Sequence, residues 1–81
     1  MSDIEKTIRL QAQSLSGEAA EEALPIVQRV FGEARAELYQ QLESDTDLPM
    51  LRARLLAMRD IESRLIACIR GGEVARRELS R

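Results

Sequence analysis

Eight of the chain's twelve cationic side chains are arginines in its last 34 residues: Arg52, Arg54, Arg59, Arg64, Arg70, Arg76, Arg77 and Arg81. A guanidinium keeps its charge at every physiological pH and grips phosphate or carboxylate through a planar fork of donors. Set along a helix, such a row can follow a polyanion with an affinity that falls as salt rises. Arg52, Arg59, Arg70, Arg76 and Arg77 are therefore the candidate polyanion contacts. Three features count against nucleic acid as the first reading. Asp60, Glu62, Glu73 and Glu78 interrupt the run, the whole chain carries a net charge of −2, and Phe31 and Tyr39 are its only aromatics. Bases have little to stack on. The first reading is that the arginines pair with the acidic N-terminal half and with neighbouring copies, and nucleic acid is the second.

Other chemistry finds few groups to carry it. There is no histidine, Lys6 is the single lysine, and no glycine-rich phosphate loop occurs. Enzymatic activity is not expected, nor a cofactor. Cys68 is the sole cysteine, so an intrachain disulfide and a zinc site of the Cys/His kind are both ruled out. The Glu-x-x-His element of di-iron helical bundles cannot occur. Glu33, Glu37, Asp60 and Glu62 read as solvated or ion-pairing carboxylates. Cys68 falls on an apolar helical stripe, where a small packed residue is expected, and Met50 and Met58 read as core fillers.

What must hold these side chains is all-helical. Ala, Leu, Arg, Glu and Gln dominate the chain, all good helix formers. Ser2 and Glu5 have the spacing of a capping box, which starts a short helix near residue 3 that ends at Ser14-Leu15-Ser16-Gly17, about 3–16. A second helix covers about 18–43 with a break or a kink at Pro25. In it Val27, Val30, Phe31, Ala34, Leu38 and Leu42 make one stripe, and Gly32 suggests a close helix crossing. Ser44-Asp45-Thr46-Asp47 is a capping-rich turn from which Thr46 or Asp47 opens a third helix, about 48–70. Gly71-Gly72 either ends that helix or marks a thin place where another helix passes, with continuation to residue 79. Its stripe is Leu51, Leu55, Met58, Ile61, Leu65, Cys68 and Ile69.

The short turn folds the two long helices into an antiparallel αα-hairpin within a single domain spanning 1–81. Counting outward pairs Leu42 with Leu51, Leu38 with Leu55, Ala34 with Met58, and Phe31 with Ile61 or Leu65. The expected hairpin core is therefore Phe31, Ala34, Leu38, Leu42, Leu51, Leu55, Met58, Ile61 and Leu65. Ile26, Leu56, Ile66 and Val74 lie off those stripes, the short first helix adds Ile4, Ile8 and Leu15 from a stripe of its own with Ala12, and together these seven form a candidate interface. So short a chain builds a thin core and needs a compensating contact. With disulfide and zinc ruled out, helix-to-helix association remains, and we expect a homo-oligomer that also docks on another protein.

Charge gives that association a direction. Residues 1–47 hold four basic against ten acidic side chains, a balance of −6, and residues 48–81 hold eight against four, a balance of +4. Opposed segments of two copies attract. The apolar runs are too short and too often broken by charge to span a membrane, and the opening residues show no secretory pattern. The expected location is the cytoplasm of the cell in which the protein is made.

The string Phe31-Gly32-Glu33-Ala34-Arg35, Leu38, Leu42, then Leu51-Arg52-Ala53-Arg54-Leu55-Leu56, Arg59-Asp60-Ile61-Glu62, Leu65, Ile69, Gly72, Ala75 and Leu79 resembles a pattern in small helical accessory proteins of tailed bacteriophages. It covers residues 31–79 and consists of helix-face positions. The resemblance implies a virion-associated or host-directed accessory protein, and it brings no catalytic residue with it.

Overall fold

Two helices account for nearly all of the structure: α1 (Asp3–Gln41) and α2 (Leu48–Leu79), packed against each other as a hairpin. The computed structural model describes residues 2–44 and 47–81, so the Asp45 and Thr46 part of the expected turn lies outside the described residues. Both helix starts are set by side chains. The Ser2 hydroxyl accepts the Glu5 N–H at 3.2 Å, and the Asp47 carboxylate accepts the Met50 N–H at 3.2 Å. Each satisfies one of the N–H groups that a helix start leaves without an internal partner. Pro49 sits in the first turn of α2, where its missing N–H removes no helical bond.

The expected short N-terminal helix does not exist as a separate element. α1 runs unbroken through Gly17 and through Pro25. A glycine that ends a helix usually does so with positive φ, and no glycine in the described chain has one. Pro25 leaves the Glu21 carbonyl without its usual N–H partner, and an interior proline costs about 3 kcal/mol. Helix persists across it because the seam against α2 continues on both sides, with Ala20 buried before it and Leu24 and Val27 half-buried around it. At the other end, α2 passes through Gly71 and Gly72 to Leu79.

The seam is narrow. Leu10, Gly17, Leu24, Phe31 and Leu38 recur every seven residues along α1, as do Leu51, Met58, Leu65 and Gly72 along α2, and all are buried or half-buried. That is the spacing of a two-stranded antiparallel coiled coil, which covers only a thin strip of each helix. Leu38, Leu51 and Met58 form the buried cluster near the turn, with Phe31, Ala34 and Leu55 packed against it. Leu65 is half-buried farther along.

Leu42 and Ile61, both expected in the core, lie outside it at 46% and 45% exposure. Val30, Met50 and Cys68 are exposed as well. Met50 lies in the first turn of α2, off its stripe, and one reason serves for the other four. The stripes read from the sequence are wide enough for a helix facing two neighbours, and a lone hairpin supplies one.

The molecule is a rod of 59 × 23 × 13 Å. Its length matches the roughly 58 Å expected of a 39-residue helix. The radius of gyration is 17.9 Å, against about 12 Å for a compact chain of this size.

Candidate functional site

Four features of the rod can act on something else: a glycine crossing, inter-helix ion pairs, an apolar stripe on α1 and an arginine row on α2. The crossing is structural. A Cβ placed on Gly17 would lie 2.8 Å from the Gly72 Cα and 3.1 Å from the Cys68 carbonyl oxygen, and one on Gly72 would lie 2.8 Å from the Gly17 Cα. The two backbones touch, and Ala20 and Ala75 beside them are buried at 5% and 0% exposure. Gly72 is therefore the thin place that the Gly71-Gly72 pair leaves open. Gly32 and Gly71 have open space where a Cβ would stand, so the crossing suggested at Gly32 is instead at Gly17.

Among the described residues, two ion pairs join the helices. Arg35 donates to Glu62, both side chains partly buried, and Arg76 lies 3.6 Å from Glu21 while its Nε donates to the Gly72 carbonyl. A third, Arg64 with Asp60 at 3.0 Å, is exposed and within one turn of α2. Arg76 is thus the half-buried member of the candidate polyanion contacts, its guanidinium lying against Glu21. The opposed charges of the two halves explain the Arg76 pair; the Arg35 pair runs the other way, from a cation of the acidic half to an anion of the basic half.

Arg52, Arg59, Arg70 and Arg77 are all exposed, and none forms an ion pair among the described residues. Their spacings of seven, eleven and seven put them on one side of α2. Leu56, Ile66 and Val74, at 51%, 38% and 51% exposure, fall in the same sector, with Glu73 at its margin. The row spans about 38 Å at 1.5 Å per residue.

On α1 the interface candidates Ile4, Ile8, Leu15 and Ile26 are 60 to 73% exposed, and Val30, at 48%, extends them. Spacings of four, seven, eleven and four keep all five within one sector opposite the seam, a stripe of about 39 Å. Exposed Glu22, Glu33 and Glu37 share that sector, and Arg29 is the one cation near it. The sequence pattern singled out the four Ile and Leu positions as an interface and read Glu33 and Glu37 only as solvated or ion-pairing carboxylates; the eleven- and four-residue spacing of Glu22, Glu33 and Glu37 was the signal that could have joined them to the stripe.

Cys68 lines a shallow groove between the helices with Arg9, Ala12, Ser16 and Gly71. Among the described residues no set of three carboxylates, thiols or imidazoles gathers as a metal site, and no helix is long and apolar enough to cross a membrane. No family model matches this chain, and no curated protein or solved structure does either.

Proposed function

We propose that this chain is a non-enzymatic interaction module that works by helix-to-helix association, as a homo-oligomer and on a further protein partner. The observation that carries this reading is surface. The isolated hairpin exposes 6347 Å², whereas a compact monomer of 9.1 kDa exposes about 4,900 Å². The excess is roughly 1,400 Å², comparable to what a standard protein interface buries in total. Among the described residues, fourteen large apolar side chains are on that surface, and the buried apolar core is six residues, two of them alanine. So many exposed apolar side chains on so small a chain support an interaction surface. With the resemblance to small helical phage proteins, this supports a structural, assembly or host-directed inhibitory accessory role, in the cytoplasm or on a virion.

The test is the mass of the unmutated chain by sedimentation across the micromolar range, followed by affinity capture from the producing cell with mass measurement of the intact complex. We expect more than one copy. A single-chain mass at every concentration would overturn self-association.

One observation favours a second reading, the row of four arginines without carboxylate partners among the described residues. A phosphate backbone could lie along it, and binding would then weaken steeply with salt. Retention on heparin or DNA that is lost in moderate salt would select this reading over the first.

A further inference from the structure

The apolar stripe of α1 and the arginine row of α2 fit each other in length, at about 39 and 38 Å, in apolar content and in charge. The first carries Glu22 and is continued past Val30 by Glu33 and Glu37, and the second carries Arg52, Arg59, Arg70 and Arg77, none of them ion-paired among the described residues. Taking the self-association proposed above as its basis, we infer that the α1 stripe of one copy seats on the arginine row of a second copy, so that chains join head to tail. Like-with-like contact is disfavoured at either face, since it would oppose glutamate to glutamate or arginine to arginine.

The two faces also lie on different sides of the rod. In an antiparallel coiled coil the positions flanking the seam form two edges, one on each side. Ala12 and Ser16 line the groove edge with Cys68, and the stripe adjoins that edge through Ile26 and Val30. Arg35 and Glu21, which pair with Glu62 and Arg76, mark the other edge, the one the arginine row of α2 adjoins. A copy cannot present both faces to the same neighbour. The contact is heterologous, and such contacts continue into a filament or close into a ring.

Two variants divide the interface. Ile8→Lys with Leu15→Lys spoils the α1 stripe and keeps the arginine row; Leu56→Glu with Ile66→Glu does the reverse. All four positions are exposed, and circular dichroism checks that each variant keeps its helices. Each alone should sediment as one chain. An equimolar mixture should give a two-chain complex that grows no further, while the unmutated protein gains mass with concentration. A dimer formed by either variant alone would overturn the inference, as would an unmutated protein that stops at two copies. The underlying self-association fails in a different way, by a monomeric unmutated chain. A charge test leaves the apolar contacts alone: Arg59→Glu with Arg70→Glu should weaken assembly about tenfold, and adding Glu22→Arg with Glu33→Arg to that chain should restore it. Absence of rescue would overturn the charge pairing.

Discussion

The hairpin is held in two different ways along its length. Near the turn, Leu38, Leu51 and Met58 fill the seam with side-chain volume, and Phe31 and Leu55 close over them. Toward the free ends, Gly17 meets Gly72 and the alanines at 20 and 75 pack around them, so backbone approaches backbone. In the first region stability comes from apolar area and dispersion contacts of large groups. In the second it depends on the absence of side chains at two positions, and almost nothing there can be added without parting the helices. The same seam should therefore answer in opposite ways to truncation and to enlargement.

The largest effect is expected from truncation at the turn end. Leu51, 3% exposed, replaced by alanine should cost about 2 to 5 kcal/mol, read as a lowered midpoint in urea with an unchanged slope. A midpoint unmoved by Leu51→Ala would mean that this cluster does not hold the hairpin. Enlargement at the other end comes next. Gly72→Leu should cost about 1 to 3 kcal/mol by forcing the backbones apart, while Gly71→Leu, one residue along and facing open space, should cost nothing. Equal melting of these two variants would show that the crossing is not closed in solution.

Pro25 lies between the two regions. Pro25→Ala returns an N–H to the Glu21 carbonyl and should stabilise by about 1 to 3 kcal/mol, less the entropy that proline removes from the unfolded chain. Greater protection of the adjacent amides in hydrogen exchange would accompany it, and a loss of stability would mean that the proline's own geometry shapes the seam. The smallest effect is at Gly32, which touches neither region. Gly32→Ala should raise the thermal midpoint through helix propensity alone, by up to about 1 kcal/mol, and a loss there would reveal an unsuspected contact.

The residues themselves determined much of this. Ser2 and Asp47 open the helices as their side-chain chemistry requires, since a short oxygen acceptor beside free N–H groups needs no distant partner. The hairpin and its turn follow from two apolar stripes separated by a few capping residues. Leu38, Leu51, Leu55 and Met58 are core because they lie at the centres of those stripes, and centre positions are covered whatever the neighbour. The exposed Ile26, Leu56, Ile66 and Val74 were legible for the complementary reason, lying off both stripes.

Tertiary structure decided what local signals leave ambiguous. Gly17 after two serines has the composition of a helix end, and only the arrival of Gly72 against it makes it a crossing point, since packing offsets the helix-breaking preference of a single residue. Pro25 could break α1 or be carried within it, and the seam on both sides selects the latter. The edges of the stripes, at Val30, Leu42, Ile61 and Cys68, were indeterminate because a helix's own periodicity says which residues share a face but not how wide a neighbour will cover it. The same reason separates Arg76, drawn into the hairpin by Glu21, from Arg52, Arg59, Arg70 and Arg77, which share its chemistry and differ only in which side of α2 they occupy.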